Sequence, residues 1–122
     1  MQVQPRVEAA NSDLGEDRVT VVRQQDRTII IVADGAGGVA GGAAAADHVC
    51  LATRELCEDG SGSFDWNEWL ARCDHALALK QPPGQAAAVI VEARNDGQVR
   101  GASVGDCEAW IFDGLRKARR QC

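Results

Sequence analysis

Fourteen residues, Ile29-Ile30-Ile31-Val32-Ala33-Asp34-Gly35-Ala36-Gly37-Gly38-Val39-Ala40-Gly41-Gly42, constrain this chain more than any others. The first five are apolar and mostly β-branched, and read as a buried strand. They end on one carboxylate, Asp34. Five of the next eight residues are glycines, which free the backbone and admit close approach. The alanine run Ala43 to Ala46 then turns helical. A carboxylate leaving a buried strand into a glycine turn ahead of a helix can hold a cation or a phosphate.

The rest of the chain narrows the choice. Its 122 residues make one domain or a piece of one. With 13 basic and 18 acidic residues the net charge is −5, which gives no footprint for nucleic acid or an anionic membrane. The basic run Arg116 to Arg120 reads as a solvated end. No stretch approaches the ~20 apolar residues of a membrane span, and Met1 to Arg6 lacks the apolar core of a signal peptide. Five cysteines (50, 57, 73, 107, 122) form no CxxC pair. Cys50 and Cys57 fall two helical turns apart and read as small buried residues. A cytoplasmic protein with free thiols is expected. His48 and His75 match no usual zinc spacing.

Taken in order, Val3 to Val7 reads as a short edge strand and Glu8 to Gly15 as a loop. Val19 to Arg23 and Thr28 to Ala33 are strands joined by the polar turn Gln24 to Arg27, an antiparallel hairpin. Such a hairpin brings Glu16 and Asp17 beside Asp34. Three carboxylates at one end of a sheet repel unless a cation lies between them; Glu16 and Asp17 read equally well as turn residues at a strand entry. Gly41 to about Glu58 is a helix with Ala45, Val49, Ala52 and Leu56 as its apolar stripe. Asp65 is the expected N-cap, with Glu68 in a capping box, of a second helix from Trp66 to Leu79. Its stripe of Trp66, Trp69, Leu70, Cys73 and Leu77 reads as core. Ala86 to Ala93 and Val99 to Val104 form a hairpin around Asn95-Asp96-Gly97-Gln98. Glu108 to Phe112 is a further strand, and the turn at Asp113-Gly114 calls for a partner that Leu115 to Cys122 does not visibly supply. The sum is an α+β fold, with antiparallel sheet and helices stacked on it.

Gly35-Ala36-Gly37-Gly38-Val39-Ala40 also fits the dinucleotide fingerprint, which needs a parallel βαβ unit and an acid at the end of its second strand. Here Glu55, Glu58 and Asp59 fall at a helix end. A Walker A loop is excluded, since no Gly-Lys-Ser/Thr occurs.

Glu16-Asp17, Val32-Ala33-Asp34-Gly35-Ala36-Gly37-Gly38 and Ser103-Val104-Gly105-Asp106-Cys107-Glu108-Ala109-Trp110-Ile111 occur in this order. Together they resemble the metal-dependent protein phosphatases, the PPM or type-2C family. The resemblance implies an antiparallel β-sandwich with flanking helices, of which residues 1–122 would form the N-terminal half, incomplete at the C-terminus. It implies a two-metal Mn²⁺ or Mg²⁺ centre and hydrolysis of phosphoserine or phosphothreonine in a protein substrate by a metal-activated water. On that resemblance Asp34 bridges the metals, the Gly35 carbonyl ligates one, Glu16 and Asp17 complete the shell, and Asp106 is structural. Asp34 and Asp17 are then the catalytic residues.

The chain departs from the pattern in three ways. Ser12 stands where many members carry a phosphate-gripping arginine, with Arg18 as a substitute from the other side. Gly84-Gln85-Ala86-Ala87 lacks the family's hydroxyl. Residues after Gly114 offer no replacement for the later ligands. A catalytically inactive remnant or split subunit is therefore the second expectation, with self-association through exposed sheet edges.

Overall fold

The computed structural model describes residues 4–6, 15, 17–36, 38–60, 62–80, 84–107, 109–113 and 117–121. Glu16 lies outside them. So do the two ends of the first expected strand, Val3 and Val7, and residues 4–6 between them form no strand.

Six strands and two helices run in the order β1 (Asp17–Arg23), β2 (Arg27–Ala36), α1 (Gly38–Asp59), α2 (Trp66–Ala78), β3 (Gln85–Arg94), β4 (Val99–Val104), β5 (Ala109–Asp113), β6 (Lys117–Gln121). The fold is α+β. Strands β1 to β4 form one antiparallel sheet in sequence order, and β5 and β6 pair as a separate two-stranded sheet. Strand β6 corrects the expectation that the Asp113 turn lacks a partner: Lys117 pairs with Asp113 and Gln121 with Ala109. The basic run is not just a solvated end, because its backbone completes a hairpin that touches β4.

Helix α1 lies over β1, β2 and β3, and α2 over β3 and β4. Side chains alternate along a strand. In β2 the set Ile29, Ile31, Ala33 faces the helices and is fully buried, joined by Ala88 and Ile90 of β3 and Ala102 of β4. Each buried isoleucine contributes about 1.5–3 kcal/mol. The opposite set, with Val19, Val21, Ile30, Val32 and Val91, is half-buried.

The buried stripe of α1 is Ala45/Ala46, Val49/Cys50, Thr53 and Cys57. This rotates the expected stripe toward smaller residues, leaving Ala52 and Leu56 on its flank. Small residues let α1 sit close. A Cβ on Gly35 would overlap the Gly42 carbonyl, and one on Gly84 would come within 2.9 Å of the Gly41 carbonyl oxygen. In α2, Asp65 Oδ1 accepts the Glu68 N–H at 3.1 Å as expected of an N-cap. The Glu68 carboxylate does not close the capping box, because it pairs with Arg72 at 2.9 Å. Trp66, Leu70, Cys73 and Leu77 are buried as expected, and Trp69 packs at their margin, its indole N–H on Thr53 Oγ1 at 2.9 Å.

Cys50, Cys57 and Cys73 are free and buried. Burial raises all three thiols, Cys73 to about 11 from an ordinary 9.0. A thiol raised in the folded state costs nothing below the unfolded value and destabilises the fold as pH climbs from about 9 toward 11, by about 1.4 kcal/mol per unit. The thermal midpoint is therefore expected to hold through neutrality and fall above pH 9. At pH 8, Ellman's reagent should modify these three thiols only after denaturant is added; labelling of Cys73 at a model thiol's rate in the folded chain would contradict this.

Candidate functional site

The β1–β2 hairpin sets the site. Its turn at Gln24 to Asp26 fixes a register in which Asp17 lies directly opposite Asp34, and pairing continues to Arg23 opposite Thr28. Alternation puts Asp34 on the face of Ile30 and Val32, and Asp17 on that of Val19 and Val21, away from the helices. Directly opposed residues bring their Cβ atoms to about 4.5–5.5 Å. Both aspartates are exposed. The expected juxtaposition of Asp17 with Asp34 is therefore present; Glu16 lies outside the described residues.

The row continues across the sheet, with Ala87 opposite Asp34 on the β3 side. On Ala87 rests the turn after β4: Gly105 has φ +78, and a Cβ there would stand 2.7 Å from that of Ala87. Only glycine tolerates both conditions at low cost. The turn carries Asp106 and Cys107 to the acidic pair. Burial raises the Cys107 thiol, and the carboxylates of Asp106, Asp34 and Asp17 raise it further; a hydrogen bond from the Asp34 backbone works the other way. The sequence reading missed Cys107 as a neighbour of Asp34. The Gly105-Asp106 turn signal was visible, but where the turn folds depends on the β3–β4 pairing.

One expected role changes, and one glycine finds a structural reason. Arg18 precedes Val19 by one position, so alternation turns it to the helix face. Its Nε donates to Asp47 Oδ1 at 2.8 Å and one terminal N–H to the Gly15 carbonyl at 2.7 Å. It thus stands on the other side of the sheet from Asp17 and Asp34 and cannot replace the arginine missing at Ser12. Gly35 is glycine because the Gly42 backbone abuts it, so its lack of a side chain needs no ligand to explain it. The dinucleotide reading also loses its scaffold. β2 and β3 pair antiparallel with two helices between them, not as a parallel βαβ unit.

Asp17 and Asp34 supply hard oxygen donors of the kind Mg²⁺ and Mn²⁺ prefer. They fit such an ion in kind, while among the described residues no three His, Cys, Asp or Glu side chains converge as a metal-holding group. Neither His48 nor His75 joins one. Burial and nearby Lys80 lower the His48 pKa. Among the described residues no helix is long and apolar enough to cross a membrane.

No known protein family, curated protein or solved structure matches this chain.

Proposed function

We propose that this chain carries the metal-binding end of a PPM-type phosphoprotein phosphatase, on a PPM-type β-sandwich with flanking helices. The observation that carries the reading is Asp17 directly opposite Asp34 at one end of one sheet face, with the Gly105-Asp106-Cys107 turn folded over the same end. The segments around Asp17, Asp34 and Asp106 thus share one end of the sheet, which supports the reading. The substrate class is a protein phosphoserine or phosphothreonine.

In this reading Asp34 and Asp17 hold the cations, aided by the Gly35 carbonyl and Glu16. Mn²⁺ or Mg²⁺ bound there would supply an activated water and offset the charge of the phosphate. The paired carboxylates fix the spacing because the β1–β2 ladder fixes their backbones. The helix face supports them from behind, through Ala33 and the Gly35–Gly42 contact.

A second reading is a catalytically inactive, metal-binding relative or one subunit of a split enzyme. The observation favouring it is that only two carboxylates of the implied set oppose each other among the described residues.

The test is hydrolysis of an aryl phosphate by the purified chain, with and without Mn²⁺, beside Asp34→Asn. The phosphatase reading expects metal-dependent turnover that falls roughly a hundredfold or more in the variant, since even indirect metal partners are worth 10–100-fold. A folded chain that binds Mn²⁺ without turnover establishes the second reading. A folded chain that neither binds Mn²⁺ nor hydrolyses ends both.

A further inference from the structure

Asp17 and Asp34 form the terminal pair of the β1–β2 ladder. Strand β1 lies at the edge of its sheet, with β2 as its one strand neighbour there. The end of such a ladder opens readily unless something besides the pairing holds it. Arg18 supplies that hold. Its Nη1 donates to two carbonyls, those of Gly15 and Asp17, each at 2.7 Å. Its Nε donates to Asp47 Oδ1 on α1 at 2.8 Å.

Gly15 and Asp17 are the sequence neighbours of Glu16, so one guanidinium bridges the carbonyls on either side of it. All three bonds are charge-assisted, the stronger class of hydrogen bond. The planar fork of arginine can make them together, because its five donors keep a fixed geometry. Alternation turns the Asp17 carboxylate to the open face and the Arg18 side chain to the helix face. Arg18 therefore grips the backbone of the acidic segment from behind, without entering the space between the carboxylates. Arg54 offers a comparison farther along the same strand: it ties α1 to the Val21 carbonyl at 3.5 Å, and Val21 pairs with Ile30, away from the acidic end.

We propose that Arg18 is a positioning residue of the metal-binding end. Anchored on Asp47, it holds the carbonyls flanking Glu16 so that Asp17 stays opposite Asp34 at the spacing a divalent cation needs. The inference rests on the phosphatase reading for its cation. It also differs in sign from a simple charge effect. A bystander cation near the site repels Mn²⁺, so its removal would tighten binding; removal of a clamp weakens it.

The test titrates Mn²⁺ into the full chain and into its Arg18→Met, Asp47→Ala, Asp47→Asn and Arg54→Met variants. Free Mn²⁺ is read from its electron paramagnetic resonance signal, and thermal midpoints are recorded without metal. Arg18→Met is expected to weaken binding about 10–100-fold, the range for groups that orient metal ligands without touching the metal. Its midpoint should stay close to that of Arg54→Met, which should bind Mn²⁺ as the unaltered chain does. The two Asp47 variants remove the same charge, but the asparagine amide oxygen still accepts from Nε. Asp47→Ala should therefore lose affinity and Asp47→Asn keep most of it; this pair decides alone if Arg18→Met does not fold. Unchanged or tighter binding by folded Arg18→Met overturns the inference and leaves the phosphatase reading standing. So does an equal loss in Arg54→Met, which would mean that any tie of β1 to α1 serves. If the unaltered chain binds no Mn²⁺, the phosphatase reading fails and this inference fails with it.

Discussion

Arg27→Met is expected to destabilise the fold by about 3–5 kcal/mol, the range for breaking a buried ion pair from one side. Arg27 is 2% exposed and its partner Glu92 is fully buried, with Nη1 to Oε1 at 3.2 Å. The same guanidinium donates to Gln24 Oε1 at 2.7 Å. Gln24 in turn donates to the Cys57 carbonyl at the end of α1, so the network ties the hairpin turn to the helix. Glu92 also accepts the Trp66 indole N–H at 3.2 Å. Its second oxygen, Oε2, has no hydrogen bond and only the Arg94 guanidinium at 3.4 Å. Without Arg27 the carboxylate keeps one indole and one distant cation in a site closed to water. That is a large fraction of the 5–15 kcal/mol a whole domain commands. In urea, with a slope near 1–3 kcal/mol per molar, the midpoint should drop by roughly 2 M. The double variant Arg27→Met/Glu92→Gln should recover much of the loss, because the neutral amide still accepts from Trp66 and no charge is left buried. A midpoint shift under about 0.5 M in the single variant, or no recovery in the double, would show that the pair does not hold α1 and α2 to the sheet.

That network was not legible in the sequence. Glu92 falls in the apolar run Ala86 to Ala93, and alternation assigns it to the helix face beside Ile90 without naming a partner; Arg27 looked like a turn residue. What pairs them is the register of Ile29 with Glu92, a product of the whole sheet. Local signals fared better. The polar turn after Arg23 specified the hairpin, and with it Asp17 opposite Asp34. Asp65 announced the start of α2, and Asp96-Gly97 the β3–β4 turn. Strand β6 was obscured because Lys117-Ala118-Arg119-Arg120-Gln121 lacks the apolar alternation that marks a strand; its pairing with β5 rests on backbone. Arg18 could have been placed by parity alone, since neighbours in a strand face opposite ways. The glycines were legible in part. Freedom to approach was read correctly at Gly35, but the approaching group is the chain's own helix.

Gly35→Ala is accordingly expected to cost about 3 kcal/mol or more, at or beyond the usual range for overpacking. The added Cβ would overlap the carbonyl carbon and oxygen of Gly42 and come within 2.9 Å of its Cα. These are backbone atoms of a helix, so no rotamer change relieves the clash and α1 must move off β2. Gly97→Ala provides the contrast. Its φ is +94 but nothing lies within 4 Å of the new Cβ, so only the left-handed backbone is penalised, by about 1–2 kcal/mol. At roughly 3–5 °C per kcal/mol for a domain of this size, Gly35→Ala should lower the thermal midpoint by about 10 °C or more and Gly97→Ala by about half that or less. Asp34→Asn, exposed and beyond the helix contact, should leave the midpoint nearly unchanged. If Gly35→Ala proves no worse than Gly97→Ala, the close seat of α1 on β2 is wrong. If Gly35→Ala falls as expected and also removes Mn²⁺ binding, the helix contact holds Asp34 in place as well as holding the fold. Retained binding in the destabilised variant would mean that the β1–β2 ladder alone positions the acidic pair.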